Sequence, residues 1–349
     1  MGRTRQPGTL DVTACALPYH ACMGEFELIE RYFRSTAMPE RHGVVLGIGD
    51  DAAVLDLPAG RQLVAAIDTL VEGRHFPAGC APRSVGHRAL AVNLSDLAAM
   101  GAEPAWLLLA LTLPAADAAF LDEFSQGLFE LARQHGVVLV GGDTTAGPLS
   151  MSVQVLGSVP SGEAITRSGG SAGDLLYISG TPGDAAAGLH HLLQRHEGAG
   201  DAPDPHLQYL LHRFLFPEPR VELGLSLRGL ASACIDVSDG LAADAGKLAA
   251  ASGCGASIEV ERLPLSAALL RNTDPARAAG YALTGGDDYE LCFTVPPARR
   301  AAFEARMTNV KCRVTCIGRL DEKLSLRVMR DGTQVDCDTH GYDHFTAAG

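Results

Sequence analysis

Residues 233–240 read ACIDVSDG, an apolar strand running into Asp236 and Asp239, with Ser238 between them, Gly240 behind, and a helical pattern over 241–252. A helix N-terminus placed there faces an anion, and the two acids can hold that anion's metal. The device recurs along the chain. GIGDD (47–51) carries Asp50 and Asp51, AIDT (66–69) carries Asp68, and GGDTT (141–145) carries Asp143. GGDDYE (285–290) carries Asp287, Asp288 and Glu290, and NLSDLAAMG (93–101) adds Asp96 within a helix. Any one Gly-Asp pair is ordinary turn chemistry. Six such motifs, each ending or flanking an apolar segment, point to side chains converging on one site. Carboxylates gathered without Lys or Arg partners repel strongly. A hard cation resolves this, and magnesium typically takes one or two carboxylates together with substrate phosphates.

Charge agrees with that reading. The 349 residues carry 28 basic and 41 acidic side chains, a net charge of −13. An acidic chain is a poor nucleic-acid or anionic-membrane binder, but it can take polyphosphates when metal ions supply the positive charge. At 47% hydrophobic and 20% charged the composition is globular, and the length suggests about two domains. Nine cysteines, an odd number with no C-x-x-C, argue for reduced thiols in a cytoplasmic protein over a disulfide frame or zinc site. No apolar run approaches the roughly 18 residues of a membrane span. Residues 1–22 lack the apolar core of a signal peptide and read as a loose, disordered extension. Met23 is a candidate start.

Periodicity predicts helices over 25–33, 84–100 (capped by Ser84), 117–135 (closed by Gly136), 185–194, 221–230 and 241–252. Strands are expected over 44–48, 106–112, 137–140, 151–159, 175–179, 233–237, 257–260, 291–295, 312–318 and 325–329. Residues 52–57 and 62–67 read as a strand pair around a turn at 58–60. The Gly- and Ser-rich stretch 160–174 reads as a link, and 197–205 as a surface loop. The division is an extension (1–22), a first domain (23–160) and a second (165–345), both α+β, without internal repeats.

Two motif matches fail. GIGDDA (47–52) fits G-x-G-x-x-[GA], but a strand and turn follow where a dinucleotide site needs a helix. GLAADAGKL (240–248) has one residue too many between its glycines, and Leu248 where a phosphate loop needs Ser or Thr. It reads as plain helix. No G-x-S-x-G occurs. Arg167 suits bidentate phosphate contact and equally suits an exposed surface. His75 is a structural hydrogen-bonder or a ligand contact.

Ten stretches, in order, resemble the thiamine-monophosphate kinase family of the aminoimidazole-ribonucleotide-synthetase-like superfamily. They are GEFELIERYF (24–33), GIGDDAAVL (47–55), DTLVEGRHF (68–76), ALAVNLSDLAAMGAEPAWLLLALTLP (89–114), GGDTTAGPLSMSV (141–153), ITRSGGSAGD (165–174), SGTPGDAAAGL (179–189), DVSDGLAAD (236–244), GGDDYELCFT (285–294) and GYDHF (341–345). The resemblance implies an α+β two-domain fold of that superfamily. Its N-terminal domain binds ATP and magnesium and contributes to a dimeric β-barrel, and its C-terminal domain is an α/β sandwich. It implies transfer of the ATP γ-phosphate to thiamine phosphate, several magnesium ions, a homodimer, and no nucleic-acid or membrane partner. Carried over by motif, Asp51, Asp68, Asp96, Asp143, Asp236 and Asp239 are the metal ligands. Gly142, Asp143, Arg167 and Ser238 contact the nucleotide, and His75, Asp287 and Tyr342 contact thiamine phosphate. Two departures from the pattern occur: Asp287 stands where the family often has Glu, and Ala66-Ile67 replace hydroxyl residues, so no side chain can ligate there.

The chemistry fits these residue types. With a second phosphate pKa near about 6, the attacking oxygen is already largely ionised at neutral pH. Neither a general base nor a nucleophilic side chain is required, so no catalytic residue of that kind is expected. In-line transfer needs two anions positioned and neutralised. The rivals are another ATP-using enzyme of the superfamily, of the aminoimidazole ribonucleotide synthetase or selenophosphate synthetase type, and a non-catalytic nucleotide or metal sensor. The selenophosphate type would be expected to place a Cys in a mobile Gly-rich N-terminal loop, and Cys15 and Cys22 lie in none. A sensor would have lost acids, and all six motifs keep theirs.

Overall fold

The computed structural model describes residues 24–34, 43–194, 204–341 and 345. The proposed extension 1–22, Met23, most of the expected loop at 197–205, and Tyr342 lie outside the described residues.

In the first half, a short helix α1 (Glu25–Leu28) continues with a wider turn over Ile29–Arg34. It is followed by β1 (Val44–Leu46), β2 (Val54–Leu55), β3 (Arg61–Val71), α2 (Pro82–Ala99), β4 (Glu103–Leu113), α3 (Ala118–His135), β5 (Val138–Ala146) and β6 (Ser150–Pro160). Four of these strands form one sheet in the order β3-β6-β4-β5, antiparallel except for the parallel β4–β5 pair. The sheet sets Asp68 in β3 opposite Val153, and Asp143 in β5 opposite Ala110.

The second half runs β7 (Leu175–Ser179), α4 (Asp184–Gln194), α5 (Pro205–Leu215), α6 (Val221–Leu227), β8 (Ala233–Val237), α7 (Leu241–Ala251), β9 (Gly255–Glu259), α8 (Ala267–Asn272), α9 (Pro275–Thr284), β10 (Glu290–Val295), α10 (Arg300–Met307), β11 (Val314–Asp321), β12 (Leu326–Arg330) and β13 (Thr333–Val335). Its sheet has the order β13-β12-β9-β11-β7-β10-β8, with only β12–β9 parallel. The fold is α+β, as expected.

Helix α2 joins the halves. It packs on β3 and β6 of the first sheet, on β8 and β10 of the second, and on α3 and α6. Nearly all of it is buried, including the polar side chains of Arg88, Asn93 and Ser95. An apolar stripe on one side only would leave such a helix half solvated; α2 is instead buried on nearly every side, polar residues included, because both sides are covered. It meets α3 backbone to backbone. A Cβ on Gly86 would lie 2.0 Å from Phe124 O, and one on Gly127 would lie 1.9 Å from Arg83 O.

Several expectations are corrected. Residues 52–57 do not pair with 62–67: β2 pairs with β1, and β3 pairs with β6 along its full length. Ser84 is not the cap of α2. Ala81 holds that position with Pro82 just inside, and the Ser84 hydroxyl donates to Ala81 O at 2.7 Å. The strand expected over 137–140 runs on through GGDTT to Ala146, so Asp143, like Asp68, lies within a strand rather than at its end. Four helices went unread. Two of them, α5 and α9, begin with the same device, an aspartate before a proline: Asp204 and Asp274 each accept two backbone N–H bonds from the first turn.

Gly86→Ala should lower stability by about 1–3 kcal/mol, because the α2–α3 backbones must separate to admit a methyl group. Urea unfolding measures this, and an unchanged midpoint would contradict the close crossing.

Candidate active site

A cavity of about 940 Å³ opens where β3, α2, the end of β8 and the 285–289 loop meet. Asp68, Asp96, Asp236 and Asp239 line it, with His75, Arg167, Ser238 and Asp287. Eight of the expected site residues therefore share one wall. Asp51, Gly142 and Asp143 do not line it. They line a second cavity, of about 970 Å³, together with Gly47 to Ala53. The six expected metal ligands thus divide four and two in this chain.

Local structure places each group. The Asp68 N–H donates to Asn93 Oδ1 (2.9 Å), which ties β3 to α2, and Asn93 Nδ2 donates to Ala89 O (3.0 Å). The Val71 N–H donates to His75 Nδ1 at 2.9 Å. This leaves the ring proton on Nε2 in the neutral form. His75 therefore fits both of its readings, as a turn-forming hydrogen-bonder on the cavity wall. Arg167 is exposed and lines the cavity. In the second cavity, Gly142 has φ +154°, and a Cβ there would lie 1.9 Å from Leu109 O, so only glycine fits.

The turn after β8 is braced from within the chain. The N–H groups of Ser238 and Asp239 both donate to Asp244 Oδ2, each at 3.0 Å. Asp244 thus satisfies two backbone donors just ahead of α7. Lys247, from the failed phosphate-loop match, sits on α7 and pairs with Asp239 (2.5 Å) and Asp244 (2.8 Å).

Electrostatic strain concentrates on α2 and β8. Burial pushes Asp96 up to about 8, with the charges of Asp236 and Asp68 adding to it and Arg167 opposing. Burial likewise raises Asp236 to about 6. Asp68 is raised by burial, eased by His75 and raised further by Asp239. This all-oxygen set with too little positive charge fits a hard divalent cation. Among the described residues, no three His, Cys, Asp or Glu side chains close into a preformed metal cage. Magnesium held by one or two carboxylates plus phosphate oxygens needs none.

The GGDDYE loop separates its acids. Asp288 accepts N–H bonds from Gly183 (2.6 Å) and Ala185 (3.3 Å) at the start of α4. Glu290 is fully buried and held by Arg213 (2.7 Å), Arg220 (2.6 Å) and the Ser179 hydroxyl (2.5 Å). These two brace the fold. Asp287 alone reaches the cavity, and it pairs with Arg88. The loop holds two non-glycine residues at positive φ, Asp287 at 69° and Tyr289 at 50°, each a cost of about 1–3 kcal/mol that surrounding contacts must offset. Arg88, Asn93, Lys247 and Asp338 were missed as site or supporting residues. The signal for two of them was available: Arg88 and Asn93 are strongly polar residues flanking the apolar run 89–92 of a helical segment.

This fold and cavity define a class. Residues 49–159 match the model of the AIR synthase related protein N-terminal domain, and residues 171–331 match that of its C-terminal domain. The thiamine-monophosphate kinase of Escherichia coli K12 is 50% identical over 93% of this chain and 99% of its own, and that of Haemophilus influenzae is 44% identical over 93% and 98%. The chain belongs to the thiamine-monophosphate kinase family. Among solved structures, the Stenotrophomonas maltophilia thiamine-monophosphate kinase superposes with a TM-score of 0.81 at 45% identity, covering 88% of this chain and 96% of that one. AaThiL complexed with AMPPCP and TMP gives 0.72 at 33% identity, covering 93% and 97%. The hydrogenase maturation protein HypE in complex with ATP, 20% identical with a TM-score of 0.69 over 89% and 92%, shares the fold alone.

A raised carboxyl pKa means that the folded chain holds protons the unfolded chain releases. Stability of the ligand-free protein therefore falls as pH rises from about 4 toward 8 through the Asp96 and Asp236 titrations. Asp96→Asn should raise the unfolding temperature at pH 8.5, with the gain shrinking toward pH 5. Thermal melts without nucleotide or divalent cation measure this, and a pH-independent gain would contradict it.

Proposed function

We infer that this chain catalyses the ATP-dependent phosphorylation of thiamine phosphate, giving thiamine diphosphate and ADP. The observation that carries the reading is the set of four carboxylates, Asp68, Asp96, Asp236 and Asp239, around one cavity with His75 and Arg167. Its support is the 50% identity to a curated thiamine-monophosphate kinase over nearly the whole chain, together with the AMPPCP and TMP complex of a 33% identical neighbour.

The four carboxylates are the residues that would hold magnesium at the first cavity, and Asp51 and Asp143 those at the second. Bound magnesium would neutralise phosphate oxygens and orient them. The chain's own groups do the rest. Arg167 brings a planar two-donor cation to a phosphate, and Ser238 offers a hydroxyl. Gly142 lets the backbone approach closely, and His75 presents Nε2–H. Assigning Gly142, Asp143, Arg167 and Ser238 to the nucleotide requires its phosphates to reach both cavities. His75, Asp287 and Tyr342 are assigned to thiamine phosphate. The substrate oxygen attacks directly, with no phosphorylated side chain between.

The protein acts as a homodimer in this reading. β3 is an edge strand of eleven residues with Leu63 53% and Ile67 62% exposed. Bare edges of that length are commonly paired or covered, and pairing two copies would extend the sheet toward the shared barrel that the family resemblance implies. Among the described residues no helix is long and apolar enough to cross a membrane. ATP dependence and the absence of a disulfide pattern support a cytoplasmic location.

Thiamine phosphate, ATP and magnesium should yield thiamine diphosphate, with none formed from free thiamine or in EDTA. Asp68→Asn should cut kcat by about a hundredfold or more without loss of fold. Near-normal turnover of that variant, or stable label on the protein from γ-labelled ATP, would overturn the assignment. Light scattering should give twice the chain mass, and Leu63→Glu should shift it toward one chain; a monomeric parent protein would remove the dimer from the proposal.

A further inference from the structure

Arg88 lies in α2, is 2% exposed, and has no part in the chemistry described so far. Its Nη2 donates to Asp287 Oδ1 and its Nη1 to Phe214 O at 2.8 Å. The guanidinium carbon sits 4.6 Å from the Phe214 ring centre and 5.6 Å from that of Tyr289. Nε has no hydrogen-bond partner among the described residues. Burying a guanidinium with one nitrogen unanswered is costly, and an aliphatic side chain would fill the space without that cost. What is gained lies at the carboxylate.

Asp287 is fixed from three directions. Its N–H donates to Ser238 O (2.9 Å), while the Tyr289 N–H donates to Val237 O (2.9 Å), so the loop is clamped to the end of β8. Oδ1 receives Arg88 and, at 3.4 Å, the Tyr289 hydroxyl. Among the described residues Oδ2 makes no hydrogen bond, and the side chain is 28% exposed on the wall of the first cavity. Both internal donors use Oδ1 of a side chain that lines the cavity, and neither uses Oδ2.

We propose that Arg88 is a positioning residue for thiamine phosphate: by holding Oδ1 of Asp287 it presents Oδ2 to the cationic, amine-bearing organic end of that substrate. The inference rests on the assignment of Asp287 to thiamine phosphate made above. It also gives a reason for placement to matter here. Aspartate is one methylene shorter than the glutamate often found at this position in the family, so its reach depends more on where its backbone and its partner hold it.

The test is a double-mutant cycle in the full chain, using Arg88→Gln, Asp287→Asn and the pair, with kcat, KM for each substrate and the unfolding temperature. Each single variant should raise KM for thiamine phosphate by about tenfold, the loss of one charge-assisted hydrogen bond, with KM for ATP within about twofold of the parent. The double variant should be no worse than the worse single, because both act through the same oxygen. Arg88→Lys, which keeps the charge and loses the planar fork, should recover part of the effect. It also carries the test if Arg88→Gln fails to fold: an unchanged KM for thiamine phosphate in the lysine variant overturns the proposal. Additive effects, or a fall in unfolding temperature and kcat with KM for thiamine phosphate unmoved, make Arg88 a structural brace and overturn it as well. A parent protein that forms no thiamine diphosphate overturns the functional assignment and this inference together. An active parent with unaffected variants overturns this inference alone.

Discussion

The charge of Asp236 presses on Asp96 at the lining of the first cavity, and the fold keeps both there by burying α2 between two sheets. A surface helix could turn away from such repulsion. α2 cannot, because β3 and β6 hold one side of it, β8 and β10 the other, and α3 crosses it at backbone distance. Burial raises both carboxyl groups; the charges of Asp236 and Asp68 raise Asp96 further, and those of Asp244 and Asp68 raise Asp236 further. The scaffold thus stores unfavourable electrostatics at the place where an incoming cation and phosphates relieve it, which is the form preorganisation takes when the ligand brings the counter-charge.

The chain separates its acids by what answers them. Glu290 is buried with two arginines, and they hold it below the ordinary carboxylate range despite complete burial. Asp288 and Asp244 are spent on backbone N–H groups at the starts of α4 and α7. Those residues close the second half and keep its loops in register with β8 and β10. The acids left with few partners, Asp68, Asp96 and Asp236, face the cavity. Asp239 and Asp287 stand between the two kinds, each with one basic partner and each on the cavity wall. One negatively charged protein can therefore contain both structural and ligand-facing carboxylates; the number and geometry of donors around each separates them.

Much of this is legible in the sequence. β7 and β8 have the boundaries their apolar runs predict, and α3 shows both expected signals, Asp117 at its start and the left-handed Gly136 at its end. Of the site, Asp68, His75, Asp96, Arg167, Asp236, Ser238, Asp239 and Asp287 share one cavity although they come from distant segments. The failures have physical causes. Residues 52–57 and 62–67 are adjacent and apolar, so a local hairpin was the natural reading, yet β3 finds an eleven-residue partner in β6 that a short hairpin cannot match. The helices α5 and α9 were hidden because their Asp-Pro starts look like turns until the capping bonds are seen. Lys247 belongs to a segment that fails as a phosphate loop, yet its position on α7 pairs it with Asp239.

Composition and local pattern were enough to determine the chemistry on offer: acids beside glycines, little positive charge, no nucleophile with a base, and most of the longer strands and helices. These are properties of residue type and near-neighbour spacing, which a chain carries without folding. Which acids meet was decided by tertiary structure alone. Asp51 and Asp143 line one cavity while the other four line another, Asp244 takes the N–H groups of Ser238 and Asp239, and Arg88 reaches a residue 199 positions away. Such pairings depend on how α2 and the two sheets stack, and stacking is fixed by the packing of many side chains at once, which no local stretch of sequence encodes.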